Sequence, residues 1–410
     1  MEKKSAKIYI IGAGISGLIA AKTLEEKGYA PTLLEATNSV GGRVKTDVIE
    51  GTFFDHGFQV LLSAYPQAKK HLNYADLKLH QFKPGALIFK NGKAQRIGDP
   101  LRDISALLPT VFSSIGSISD KIKIFTLTQR LKKKSIQDIF TSVETTTLKY
   151  LKGYGFSSRI ISDFFKPFFT GIFLEEALQT SSRMFEFVFK MFGEGYATLP
   201  ENGIGAIPEQ LFNQLHHSQF RYGQKVKAID SQGIHMESGE ILESDATLAT
   251  IPIDAKTGAV NFSAVDWKSC DNLYFAVEKR TFEEGIIGLI ADNDALTNNL
   301  YYPFGQTVSG DVVLSVTVVK SHTLNEADLV DTISSELLEH CGITIKSFLK
   351  KYTIRQALPD VKDLKMELSP DNVQVFKKVF LAGDYVLNGS LNAAMASGEA
   401  TAKQLMSVIK

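Results

Sequence analysis

The chain has 410 residues, with 45 Lys+Arg against 45 Asp+Glu, 44% hydrophobic residues and 2 Cys. That length suits two domains or one large composite with a sizeable core, and a net charge of zero offers no electrostatic case for a nucleic-acid partner. At 22% charged and 10% aromatic residues the composition excludes a disordered chain; Cys270 and Cys341, far apart and in no CxxC spacing, exclude a disulfide framework and a zinc ribbon.

A reduced, cytoplasmic compartment is therefore the default. Lys3, Lys4 and Lys7 before the apolar run 8–21 imitate a signal peptide. Three glycines interrupt that run, no cleavage site follows, and patterned sequence resumes at Lys22. Nowhere else is there an uncharged apolar stretch of about 18 residues, the length a membrane helix needs.

In chain order, residues 7–11 read as a short apolar strand. Residues 15–27 read as a helix, with Leu18, Ala21 and Leu24 on one face and Gly28 as its stop. A second strand at 31–35 completes a βαβ unit, hence a parallel sheet with a right-handed crossover. Helical patterns cover 101–165, with a basic patch at Lys132, Lys133 and Lys134. Phenylalanines crowd from Phe156 to Phe192. Strands are expected at 225–229 and 245–251, and a sheet at 271–319 from runs 273–277, 286–291, 300–302 and 312–319. An amphipathic helix at 326–341 carries Leu329, Ile333, Leu337 and Cys341 on one stripe. A strand at 379–382, a turn at 383–390 and a helix at 392–409 end the chain. With no internal repeat or low-complexity linker, the domains are expected to interleave.

Gly12-Ala13-Gly14-Ile15-Ser16-Gly17 is GxGxxG between a strand and a helix. Gly12 permits the tight turn, Gly14 admits the backbone to a pyrophosphate and Gly17 lets helix and strand pack closely. The helix N-terminus, from Ser16 onward, offers N–H groups to the anion. Such charge-assisted bonds contribute roughly 1.5–3 kcal/mol each. Glu35 lies 21 residues after Gly14, where a carboxylate accepts from both ribose hydroxyls of an adenosine and repels a 2′-phosphate; Ala36 follows it in the same site. NADP is thereby disfavoured, and the motif by itself does not separate NAD from FAD.

The next loop does. Gly41-Gly42-Arg43, in LLEATNSVGGRV, resembles the FAD-dependent amine oxidoreductase superfamily, which holds flavin amine oxidases, protoporphyrinogen oxidases and phytoene-desaturase-like enzymes. The resemblance implies that Gly42 and Arg43 wrap the pyrophosphate of a non-covalent FAD. Asp55-His56-Gly57-Phe58-Gln59 resembles the loop whose backbone, at Gly57, Phe58 and Gln59, passes the flavin ring. Leu381-Ala382-Gly383-Asp384 with Ser390-Leu391-Asn392-Ala393-Ala394 resembles the C-terminal flavin motif, placing Gly383, Asp384, Leu391 and Ala394 at the cofactor. Val226 matches the residue that meets adenine, and Ala249-Thr250-Ile251-Pro252 the strand closing the domain. Arg355 and Pro359, in IRQALPD, match a segment near the flavin.

The implied fold is α/β: a Rossmann-like FAD-binding domain from residues 1–80, 200–255 and 355–410, interleaved with a mixed α+β substrate domain from 81–199 and 256–354. The implied activity is a dehydrogenase/desaturase or oxidase passing a hydride to flavin from an apolar small molecule such as a polyene, isoprenoid or porphyrin-like substrate. The electron acceptor is unknown. Amine oxidation is demoted, because Ser390 stands where amine oxidases carry a cage aromatic and no Lys can be assigned beside the flavin. A double-bond isomerase and a non-catalytic flavoprotein remain alternatives. One dinucleotide fingerprint argues against a second NAD(P)H domain. The Phe-rich segment, including FFKPFFTGIF, suits a core, a substrate tunnel or a membrane-dipping face, and Lys132–Lys134 a solvated face or a peripheral membrane contact. His56 could donate a proton or simply pack. His216 and His217 are expected in solvent. No catalytic residue and no metal site is assigned.

Overall fold

The computed structural model describes residues 6–98, 110, 113–230, 233–252, 265–369, 373–376 and 378–409. Lys3 and Lys4, most of 99–112 and the stretch 253–264 lie outside the described residues.

The opening strand Ile8–Ile11 runs through the centre of a six-stranded sheet, flanked by Thr32–Leu34 and Ala246–Ala249. Gln219–Arg221 lies beyond one neighbour and Val379–Leu381 beyond the other, all in parallel, with Gln374–Phe376 as an antiparallel edge. Ile8, Ile10 and Ile11 are all buried because a parallel strand is covered on both faces. The opening helix Ile15–Glu25 and the closing helix Leu391–Val408 pack against each other. A Cβ at Gly398 would overlap the carbonyl oxygen of Ser16, so this helix pair touches backbone to backbone. Helix Ala206–Asn213 packs beside them, and Glu25 at the end of the opening helix accepts the N–H groups of His216, His217 and Ser218. Both histidines are exposed, as expected.

The second body of the fold is an eight-stranded sheet. Its path runs Ile345–Pro359, Trp267–Val277, Asp311–Val318, Thr297–Tyr301, Gly288–Ile290, Gly85–Lys90, Lys93–Gly98, with Thr307–Val308 added on Asp311–Val318. Its back is apolar: Leu273, Phe275, Leu300, Leu314 and Val316 bury against Leu329, Ile333 and Leu337 of helix Glu326–Cys341. Its front is polar although equally buried. Asn272, Thr317 and Asn299 share one rung of three strands, with Thr317 Oγ1 donating to Asn272 Oδ1 at 3.0 Å and Asn299 Nδ2 donating to Thr317 Oγ1 at 3.2 Å. Buried polar groups persist only where they are hydrogen-bonded, and this rung satisfies them mutually.

Two strands differ from expectation. Trp267–Val277 begins six residues before the 273–277 run, because its outer half, Trp267-Lys268-Ser269-Cys270-Asp271-Asn272, lacks the apolar pattern of a half-buried strand. Ile345–Pro359 carries no clean alternation either, since it is an edge strand with many exposed positions. It runs unbroken across position 355.

Helices occupy much of 118–194: Ile118–Lys133, Ile136–Thr141, Thr147–Gly153, a run from Ser158 to Phe173 with a π turn at Ile161–Phe165, and Ser182–Glu194. Ser117 and Asp120 form a capping box on the first. Phe165, Phe169, Phe173, Phe185 and Phe187 are fully buried, whereas Phe168, Phe189 and Phe192 are only half-buried.

Asp55 joins the two bodies. Its Oδ1 accepts from Thr46 Oγ1 at 2.5 Å and from the Ile204 N–H at 2.9 Å, while its backbone carbonyl accepts from Tyr274 Oη at 2.9 Å. Burial pushes its carboxyl up to about 6. A raised carboxyl pKa contributes stability below about pH 4 that is lost as pH rises through about 6. Asp55→Asn keeps the Oδ1 acceptor and removes the titration. Melting temperature between pH 4 and 7 should therefore fall for the native chain and flatten for the variant; parallel profiles would refute the assignment.

Candidate functional site

A cleft of about 1630 Å³ lies between the six-stranded sheet and the polar front of the eight-stranded sheet. A single drug-sized ligand needs ~300–1,000 Å³, so this volume leaves room for a second occupant.

At one end, the turn after the opening strand delivers Gly12, Gly14 and Ser16 to the cleft wall. The opening helix has Gly14 as N-cap with no side-chain oxygen capping its first turn, so its N–H groups are left to a ligand. A Cβ at Gly14 would find only the Gly41 carbonyl oxygen, 3.9 Å away, so the space over Gly14 is open cleft. Gly17 does not line the cleft. A Cβ there would overlap the Gly12 carbonyl oxygen, which makes it the contact between helix and strand.

Glu35 and Ala36 line the wall where the second strand ends. Glu35 Oε2 accepts the Ala13 N–H at 2.8 Å and Oε1 accepts from Thr37 Oγ1 at 2.7 Å, so the carboxylate also braces the glycine turn. Val226 lines the same end from the small sheet Val226–Ile229, Ile234–Met236, Ile241–Leu242.

Gly42 and Arg43 bring the next loop across. Arg43 Nη2 donates to Asp384 Oδ1 at 2.5 Å, and its guanidinium lies 5.0 Å from the centroid of Trp267. Gly57, Phe58 and Gln59 follow; Gln59 Nε2 donates to the carbonyls of Arg43 at 2.8 Å and His56 at 3.1 Å, tying the two loops together. From the far end of the chain come Gly383, Asp384, Leu391 and Ala394. Ser390, also in the wall, is the N-cap of the closing helix: its Oγ accepts the Ala393 N–H at 3.0 Å and donates to Asn388 Oδ1 at 2.7 Å. Two helix N-termini thus meet one cleft.

His56 lines the cleft, but its Nε2 sits 3.0 Å from Asp47 Oδ1 and its ring stacks on Tyr352 at 4.2 Å. Burial raises the Asp47 carboxyl, and hydrogen bonds from Tyr352 and His56 outweigh it, holding Asp47 below its ordinary value. Arg355 is exposed and outside the wall, whereas Gln356, Ala357, Leu358 and Pro359 are in it.

Sequence reasoning missed the sheet's contribution. Trp267, Lys268, Cys270, Asn299 and Thr317 all line the cleft. The one available signal was that Trp267 is the chain's single tryptophan. Lys268 is half-buried, with Nζ 3.6 Å from Asp360 and 3.3 Å from Thr180 Oγ1. Burial pushes the Cys270 thiol up to about 12, so it is no thiolate at neutral pH. Beyond the glycine turns one wall is apolar, with Phe168, Ile172, Met184, Val188, Phe192 and Leu289. Among the described residues no cluster of His, Cys, Asp and Glu could hold a metal ion, and no helix is long and apolar enough to cross a membrane.

Comparison with known proteins gives the family. Among curated proteins, protoporphyrinogen oxidase 2 of Arabidopsis thaliana is 27% identical over 165 residues, covering 40% of this chain and 32% of that protein. The chain thus matches about a third of that relative's length. L-amino acid oxidase Bs29 of Bothriechis schlegelii is 22% identical over 447 residues, covering 97% and 89%. A fatty acid isomerase from P. acnes has a similar fold, with a TM-score of 0.69 at 14% identity over 100% of both chains. The family model for the flavin containing amine oxidoreductases matches residues 15–406. The chain belongs to the flavin-containing amine oxidoreductases, whose cofactor is the FAD expected from its motifs.

Proposed function

We propose that this chain holds one FAD non-covalently in the cleft and uses it to oxidise an apolar small molecule. The Rossmann-like cofactor domain would comprise residues 1–80, 200–255 and 355–410 and the substrate domain 81–199 and 256–354, with strand Ile345–Pro359 crossing the boundary at 355. The open space over Gly14 and the uncapped first turn of the opening helix suit a pyrophosphate. Glu35 would hold the ribose, Val226 the adenine, Asp384 and Arg43 the phosphate and ribityl chain, and Gly57, Phe58 and Gln59 the ring system.

Bound FAD supplies the acceptor for a hydride leaving a substrate C–H bond. The chain's part is to orient that bond, exclude water and manage the accompanying proton. Lys268, half-buried on the sheet front and 3.6 Å from Asp360, would bring a cationic donor to the cleft, and Asn299 and Thr317 would orient any polar group the substrate carries. The observation that carries the apolar reading is the Phe168, Ile172, Met184 and Phe192 wall. Ser390, occupied as a helix cap, supplies no aromatic for an amine cage.

The relatives span an oxidase of a porphyrinogen, an oxidase of amino acids and an isomerase of a fatty acid, so the family by itself does not choose the reaction. Anaerobic mixing of the purified flavoprotein with a polyene, a porphyrinogen, a fatty acid and an amino acid distinguishes them. Bleaching of the flavin by an apolar compound is the expected result, whereas bleaching only by the amino acid overturns the substrate class. Turnover that requires pre-reduced flavin and consumes no acceptor identifies the isomerase.

Gly14 and Gly17 of the fingerprint should behave differently. Gly14→Val should fold with near-native melting and purify without flavin, because its side chain fills only cleft. Gly17→Ala should lower stability by about 1–3 kcal/mol or more through backbone overlap. The flavin-to-protein absorbance ratio and the melting temperature read both; a Gly14→Val protein with full flavin refutes the placement. Asp384→Ala should weaken FAD about 10- to 100-fold, the loss of one charge-assisted bond, while leaving the fold intact, as measured by flavin titration of the apoprotein.

A further inference from the structure

A second cavity, of about 440 Å³, adjoins the flavin-side cleft. Phe168, Phe192 and Ile287 belong to the walls of both, so a single layer of side chains separates the two spaces. Helix Ser182–Glu194 serves both: Met184, Val188 and Phe192 face the cleft, and Phe189, Phe192 and Gly193 face the second cavity. Phe168, Phe189 and Phe192 keep partial exposure next to fully buried Phe165, Phe169 and Phe185 because they border these voids.

At the outer end stand Ile118, Ile122 and Phe125, which line the cavity and are 67%, 58% and 47% exposed. They recur at i, i+4 and i+7 on helix Ile118–Lys133, whose Leu127 and Leu131 already bury the core-facing side. An exposed apolar stripe opposite a buried one is not explained by packing of the helix.

We propose that the second cavity is a binding compartment for the far end of the substrate, an extended alkyl or polyene chain. The chain reaches in between Ile118, Ile122 and Phe125 and meets the flavin-side cleft past Phe168 and Phe192. A rotamer change at either ring is the motion the passage requires. This rests on the apolar-substrate reading and extends it: the substrate is long, with its reacting segment in the cleft and an apolar tail in a separate chamber.

The test is a titration of the holoprotein with straight-chain primary alcohols of increasing length, followed by the flavin absorption perturbation and by calorimetry. In the native protein affinity should rise roughly fourfold per methylene and continue past the length that fills the cleft. Ile124→Trp, inside the cavity, should halt that rise several methylenes earlier. Ile122→Glu, at an exposed position that packing does not constrain, should weaken only the longest alcohols, by at least tenfold. Equal length profiles in the native protein and both variants would overturn the compartment and leave the apolar-substrate reading standing. Failure of alcohols of every length to bind the native holoprotein would overturn both.

Discussion

The architecture depends on backbone contacts that only glycine permits. Gly17 sets the opening helix directly on the turn at Gly12, and Gly398 sets the closing helix directly on Ser16. Each contact leaves no room for a Cβ, so each fixes a helix to within a side chain's width. Together they bring the N-termini of two helices, from opposite ends of the chain, to one crevice at the ends of parallel strands. The convergence of N–H groups and helix dipoles there favours an anion, and Arg43 lines the same crevice. Arg43 and Asp384 are paired across the same crevice although 341 positions apart.

The eight-stranded sheet faces two environments and is built differently for each. Its back is a conventional apolar layer under Leu329, Ile333 and Leu337. Its front carries Asn272, Thr317 and Asn299 in one hydrogen-bonded rung, with Lys268 and Cys270 toward the open end. A buried polar face is tolerable because each group finds a partner within the sheet. The result is a cleft with an apolar helical wall on one side and a polar strip on the other, which can grip a greasy molecule while ordering one polar feature of it. Asp55, held by Thr46, Ile204 and Tyr274, locks this sheet to the cofactor side.

The phenylalanines show how far one residue type can be read from sequence. Their crowding marks an apolar region whichever role they play. Phe165, Phe169 and Phe185 became core and Phe168, Phe189 and Phe192 became walls. Nothing local distinguishes the two groups, since Phe185 and Phe189 are one turn apart on the same helix. What separates them is the position of the neighbouring helix Ile118–Lys133 and of the sheet edge at Ile287.

The sequence by itself determined the glycine turn and strand end at one end of the cleft. A strand, a glycine turn and a helix are short-range features, set by dihedral preference and periodicity, and so Gly12 and Gly14 could be found by spacing, whereas Gly42, Gly57 and Gly383 were reached through the family resemblance. Glu35 was legible for the same reason, because it ends the strand next in line. The tertiary structure decided the opposite wall of the cleft. Trp267, Lys268 and Asn299 sit where the polar pattern reads as loop, Thr317 on an expected strand whose cleft-facing side the pattern does not fix, and Ile345–Pro359 on an edge too exposed to alternate cleanly. Their positions depend on which face of the sheet turns toward the cleft, and that is fixed by packing between segments far apart in the chain.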